Sequence, residues 1–277
     1  MRVIVSLWVR NLKTFARNRV QLIFTLIAPF FFMYIFSSIF SLQSDNPMSY
    51  MLAGIIIVNA FGTALALSSS TITDIVSGFM KEVLVSPVKR SHIAVGQLLA
   101  AATIAVAQSV PVMILGWFLG LRYTNVFTPL FALVAIIAIG FVFGGLGLFL
   151  ASVVKNAQTY QVVGMVVQMP MMFLCGAYVP LAILPAALQK IAYFNPLTYT
   201  IAFFRAVILE KMGLPKGEMV AEGIAFEIGG FTITPLISMF IVIAFGALFL
   251  TLSAIVFTRV DFSRINRTKL NDADIFS

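Results

Sequence analysis

Phe127–Val154 reads FTPLFALVAIIAIGFVFGGLGLFLASVV and carries no charged side chain. A helix needs roughly 20 such residues, at a rise of about 1.5 Å each, to cross the hydrocarbon core of a bilayer. Gly140 and Gly144 form a G-x-x-x-G pair within it, with Gly145 and Gly147 beside them. Glycines at that spacing let a second backbone approach closely, so this run reads as a membrane span packed tightly against a neighbour.

Similar runs recur in both directions. Upstream lie Val20–Ser41, Tyr50–Ile72 and Ser91–Leu119, and downstream lie Gln158–Tyr178 and Thr234–Thr258. The whole chain of 277 residues is 61% hydrophobic and 10% charged. Soluble domains average about 25% charged residues, so a water-soluble fold is excluded. No stretch is left for a separate soluble domain. The expected fold is an all-α integral membrane protein: one transmembrane domain over 1–277 with six spans.

The charges fix the expected orientation. Six spans place both termini on one side. That side carries thirteen of the eighteen Lys and Arg residues: five before the first span, three in the 74–92 link, Lys155, and four in the 259–277 tail. The other side carries Arg122, Lys190, Arg205, Lys211 and Lys216. The acidic residues divide evenly, so the net +8 lies wholly on the side of the termini. By the positive-inside rule that side is the cytoplasm, in a multi-pass protein of the cell membrane. The excess charge is a topology signal rather than a nucleic-acid footprint. A seven-span count, with 191–208 crossing, leaves a weaker bias.

Residues 2–17 form an expected interfacial helix. Ile4, Trp8, Leu12 and Phe15 step by four, four and three, while Ser6, Arg10, Lys13 and Arg17 take the other face. Such a basic amphipathic helix lies in the headgroup plane. No A-x-A-like site follows, so the start reads as uncleaved. Within the spans, Asn59, Thr63 and Ser68–Ser70 make the second unusually polar, and Gln161, Met165 and Gln168 share one face of the fifth. Polar groups at this depth either bond neighbouring helices or line a wet pathway. Between the fifth and last spans, Pro180, Pro185 and Pro196 cut the chain into pieces, with helices over Ala186–Phe194 and Leu197–Ile208. Broken helices at membrane depth need protein or water around them, so 179–233 reads as extracytoplasmic re-entrant helices followed by a polar loop.

No catalytic constellation is visible. His92 is the single histidine and Cys175 the single cysteine, which excludes a two-histidine metal site and an internal disulfide. No G-x-x-x-x-G-K-[ST] loop is present, so the chain has no such device for binding ATP, and no cofactor is expected on it. No span holds an acidic residue at mid-depth, against a proton-coupled pump.

One charged interruption separates the second and third spans: Asp74–Arg90, DIVSGFMKEVLVSPVKR. Ile75, Phe79 and Val83 step by four, a greasy stripe with Lys81 and Glu82 beside it. A short helix of this kind can bury its stripe in a partner's groove; a plain polar turn anchored by Lys89 and Arg90 fits the same residues. Ser86-Pro87 ends the helix and starts the next. The link resembles the cytoplasmic segment of ABC-2 type transporter permeases. Asp74 and Gly78 match its acidic-x-x-x-Gly start and Ser86-Pro87-Val88 its "S-P-V", whereas Val76 stands where many members carry a second acid. Leu184–Arg205, LPAALQKIAYFNPLTYTIAFFR, resembles the family's second marker, with Pro185, Asn195, Pro196 and Arg205 in register.

That resemblance implies a permease subunit, not an enzyme. It pairs with a second permease copy, forming a homodimer, and each copy meets a separate ATP-binding subunit that holds ATP and Mg. The link (Asp74, Gly78, Phe79, Lys81, Glu82, Ser86, Pro87, Arg90) and the interfacial helix (Trp8, Arg10, Lys13, Arg17) would receive the ATPase's motion. Asn59, Thr63, Gln161, Met165 and Gln168 are the resulting pathway candidates. Pro185, Asn195, Pro196 and Arg205 belong to a re-entrant gate. Family members mostly export drugs, lipids or polysaccharides. Acid-poor, Met- and Phe-rich spans favour an amphipathic small molecule or drug. A polysaccharide or glycolipid exporter would want an aromatic-lined channel, for which Tyr160 is the obvious candidate in the fifth span. A membrane enzyme or sensor is the rival from another class.

Overall fold

A computed structural model describes residues 2–20, 22–24, 27, 29, 31, 35, 47–76, 90–118, 123, 125, 127–154 and 156–259. Helices α1 (Arg2–Arg17), α2 (Pro47–Val76), α3 (Arg90–Phe118), α4 (Phe127–Val153) and α5 (Ala157–Leu174) come first. A 3₁₀ turn (Leu181–Ile183), α6 (Ala186–Ala192), α7 (Pro196–Ile208), α8 (Lys216–Ala221), strands β1 (Phe226–Ile228) and β2 (Phe231–Ile233), and α9 (Pro235–Arg259) complete the order.

Among the described residues, four helical stretches are long and apolar enough to cross a membrane: Ser49–Ser70, Ser91–Phe118, Phe127–Val153 and Pro235–Val256. They match the expected second, third, fourth and sixth spans. The expected first span falls largely outside the described residues. The expected fifth is shorter than its run: α5 stops at Leu174, and Gln161, Gln168 and Pro170 dilute its apolar character. α6 and α7 meet at an 83° bend, so together they make a fifth crossing at most.

α2 is the hub. Met51–Val58, with Ala60, Phe61, Ala64 and Leu65, is buried, and Gly54 lies against the Ala177 backbone of the turn after α5. Such all-round burial needs neighbours on every side, and α3, α4, α5 and α7 supply them. The glycines of α4 explain how these helices come so close. A Cβ on Gly140 would stand 2.5 Å from the Ala102 Cα of α3, and one on Gly144 would stand 3.1 Å from Leu98. Gly147 faces Ser68 of α2 at 2.5 Å and Gly145 faces Leu250 of α9 at 3.0 Å. The G-x-x-x-G pair thus seats α3, while the two glycines beyond it seat α2 and α9. By contrast α9 presents Leu236, Phe240, Ile243, Leu248 and Ile255 outward, as a lipid-facing helix does.

α1 has the expected bounds but a different buried face. Leu7 and Asn11 are its most buried residues; Leu7, with the Ile4 backbone, lies in the notch that Gly96 opens in α3. Ile4, Trp8, Leu12 and Phe15 are only half-buried. The stripe is turned because α1 docks on α3: Trp8 Nε1 donates to Thr103 Oγ1 at 3.1 Å, and Asn11 Nδ2 donates to Gln97 Oε1 at 2.8 Å.

The all-α expectation needs one correction. β1 and β2 form an antiparallel hairpin closed by Gly229-Gly230, both with positive φ (59° and 81°). Two glycines in that conformation make the tight turn whose twist suits a two-residue hairpin. Nor is 210–233 a free polar loop. Met219, Ile224 and Ala225 pack under Ala206 of α7, and Phe226 sits 6.1 Å from Tyr199 and 6.3 Å from Tyr193, ring centre to ring centre.

Candidate transport site

The broken region is built around Arg205. Pro180, Pro185 and Pro196 each stand just before or at the start of a short helix, where a missing N–H costs nothing. Asn195 is the hinge of the 83° bend: its Oδ1 accepts from Leu197 N, capping α7, and its Nδ2 donates to Met171 O of α5 at 2.7 Å. Thr198 and Tyr199 then bond back to the carbonyls of Ala192 and Tyr193, locking the corner. Pro185 is exposed and Pro196 buried.

α7 runs into the core, and Arg205 is 2% exposed. Its guanidinium donates to Tyr50 O (3.3 Å), Gly223 O (3.2 Å) and Gly176 O (3.1 Å) and lies 3.4 Å from the centre of the Tyr50 ring. A planar five-donor fork can reach three diverging carbonyls while stacking on an aromatic face, which no other side chain does. The start of α2, the turn after α5 and the loop before β1 are thereby pinned to one point. Of the expected gate residues, Arg205 is the one these three carbonyls and the Tyr50 ring surround. Gly223 takes φ +63°, with Tyr50 Oη 2.6 Å from where a Cβ would be.

Glu210 makes a second clasp there. Its Oε1 accepts from Asn125 N (3.1 Å) and Thr128 Oγ1 (2.5 Å), placing a carboxylate at the α4 N-terminus, where the helix dipole favours it. Tyr123, next to this start, is half-buried, and burial pushes its phenol up to about 12. Lys211 pairs with Glu222 at 2.6 Å across the surface.

The pathway candidates separate into two groups. Asn59, Thr63 and Gln168 lie at contacts within the bundle. Asn59 Nδ2 donates to its own helix at Ile55 O, Thr63 Oγ1 donates to Gln108 Oε1 of α3, and the Gln168 amide covers Gly62. Thr63 and Gln168 thus reach neighbouring helices, while Asn59 turns back on its own. Gln161 and Met165 instead stand on an open face with Val162, Val166, Met169 and Phe173. Between Gln161 and Phe173 that α5 face is apolar apart from its glutamine.

Of the coupling residues, Gly78, Phe79, Lys81, Glu82, Ser86 and Pro87 lie outside the described residues. Asp74 falls in the last turn of α2, which continues to Val76, and Arg90 opens α3. On α1, Lys13 and Arg17 are exposed, as a basic face requires, whereas Arg10 is half-buried. Sequence reasoning missed Asn11, Gln97 and Glu210. For Asn11 the signal was an amide one turn beyond Leu7; for Glu210 nothing local announces a partner 82 residues away.

Comparison with known proteins agrees with this architecture. Residues 2–209 match the ABC-2 type transporter family. The chain belongs to that family: it is a transport permease, the membrane subunit of an ABC transporter, and the family implies an ATP-binding partner. It is 27% identical to the putative transport permease ycf38 of Cyanophora paradoxa over 240 residues, 83% of this chain and 80% of that protein. It is also similar to nodulation protein J of Rhizobium leguminosarum bv. viciae, 32% identical over 126 residues (46% and 48% of the two chains). With nodulation protein J of Bradyrhizobium diazoefficiens the identity is 24% over 177 residues, covering 61% and 64%.

Proposed function

We propose that this chain is the permease half of an ATP-driven exporter that moves an amphipathic small molecule or drug out of the cell. Two copies pair, each engages one ATP-binding subunit through 74–90 and α1, and ATP and Mg are held by that partner. The topology proposed with it has six spans, both termini in the cytoplasm, and 179–233 outside as a re-entrant cap. The observation that carries the cargo class is the open α5 face: Met165, Val166, Met169 and Phe173 are each more than half exposed, with Gln161 one turn away. Flexible thioethers suit apolar ligands of varied shape, and the Gln161 amide supplies a polar foothold.

Tyr160 weighs against the polysaccharide alternative. It is 3% exposed and its hydroxyl donates to Leu65 O at 2.7 Å, so it offers a sugar neither ring face nor hydroxyl. The test is reconstitution with the ATP-binding subunit in proteoliposomes. Amphipathic dyes and drugs should stimulate ATP hydrolysis and accumulate in an ATP-dependent way. Stimulation by oligosaccharides or glycolipids but not by amphipathic molecules would overturn the cargo reading. Absence of any ATP-dependent transport would overturn the exporter reading.

A further inference from the structure

Tyr160 occupies a place that no reading of the α5 face uses. It is one of two buried residues on α5, the other being Gly164. Its ring forms a small separate cluster with Ile72 of α2 and Ala151 of α4, exposed 1% and 3%, closed over by Leu150, Val154 and Ala157. Its hydroxyl donates to Leu65 O, about two helical turns back along α2 from Ile72. Ile72 precedes Asp74, the first residue of the cytoplasmic link, by only two positions.

The segment of α2 that Tyr160 grips is itself unusual. Ser68, Ser69 and Ser70 turn their hydroxyls back onto the carbonyls of Ala64, Ala66 and Leu67 at 3.2, 2.7 and 2.7 Å. Hydroxyls that compete for carbonyls within a helix weaken its ladder and favour bending. Gly147 of α4 lets the backbone press against this same turn, at Ser68 and Ala64 O. So the last two turns of α2 combine a loosened ladder, a fixed contact on one side and one aromatic strut on the other. The end of α2 thus meets α5 through the Tyr160 ring, against Ile72, and its hydroxyl, on Leu65 O.

We infer that Tyr160 is the positioning residue that carries movement of the cytoplasmic link from the end of α2 to α5. The inference rests on the exporter reading above, since it needs both a driven link and a working α5 face. Gln168 over Gly62 is a second α2–α5 contact, nearer mid-membrane, and it keeps α5 seated when the strut is weakened.

The test compares wild type, Tyr160→Phe and Ile72→Ala, each purified with the ATP-binding subunit and reconstituted, reading transported molecules per ATP hydrolysed. Tyr160→Phe keeps the ring in its cluster and removes only the hydroxyl. Its expected effect is a drop of roughly two- to tenfold in that ratio, the factor one net hydrogen bond carries in an equilibrium. Complex yield and unstimulated ATP hydrolysis should stay at wild-type levels. Ile72→Ala should lower the same ratio, and the double variant should lose less than the product of the two, because the residues act through one contact. A ratio unchanged in Tyr160→Phe, in a complex whose wild type transports, overturns the strut and leaves the exporter reading standing. A fall in yield or thermal stability with an unchanged ratio also overturns it, since Tyr160 is then structural only. A wild-type complex that hydrolyses ATP without transport overturns the exporter reading and the strut with it.

Discussion

Replacing Arg205 by Met removes the guanidinium while keeping much of its length and apolar bulk. Three carbonyls, of Tyr50, Gly176 and Gly223, then stay buried without their donors. Each such orphan costs about 1–3 kcal/mol. Against that stands the several kcal/mol no longer needed to keep a cation out of water. The balance is a loss of about 2–5 kcal/mol, a large part of the roughly 5–15 kcal/mol that holds a domain folded. In thermal unfolding followed by size exclusion in detergent, that corresponds to a fall on the order of 5–15 °C. Arg205→Lys should fall between, because an ammonium is a point donor that neither spans three carbonyls nor stacks flat on Tyr50. Lys190→Met, at an exposed cation of the same region, should leave the midpoint unchanged. If Arg205→Met melts within about 2 °C of wild type, the three-carbonyl clamp is not what holds the cap to α2.

Gly140→Ala should destabilise by about 1–3 kcal/mol through overpacking, since its Cβ would lie 2.5 Å from the Ala102 backbone. Gly217→Ala, with nothing within 4 Å, should be neutral or slightly stabilising in the same melting assay. For topology, Val220→Cys should react with a membrane-impermeant maleimide on intact cells; Cys175 is buried, so the parent should stay dark, and protection at 220 would reverse the proposed orientation. For coupling, the double reversal Lys81→Glu with Glu82→Lys should abolish transport while insertion stays normal, and normal transport would remove the link from that role.

The spans were legible because a lipid-facing or buried helix must be apolar over its whole length, a property of composition alone. α4 is the clearest case, its bounds differing from the sequence reading by one residue. Proline and asparagine also act locally, so Pro185, Asn195 and Pro196 marked the starts of α6 and α7 directly. The hairpin had its signal too, two glycines between alternating triplets, but so short a pattern is outweighed by the helical runs around it. The orientation was read from charge, and the family from two motifs.

Which side of each helix meets which neighbour was a different matter. The amphipathic stripe of α1 put Trp8 at its centre, yet docking at Gly96 turned Leu7 and Asn11 inward. The polar residues of α2 and α5 looked alike in sequence, and only packing divided Thr63 and Gln168, spent on neighbouring helices, from Gln161, left open. Arg205 counted as an outward charge until three carbonyls from distant segments converged on it. Sequence by itself determined that this chain crosses a membrane, where its helices break and which family it belongs to, because those depend on residue type and local spacing. Tertiary structure decided the work of each polar side chain, because in an apolar surrounding a polar group's role is set by the partner that reaches it.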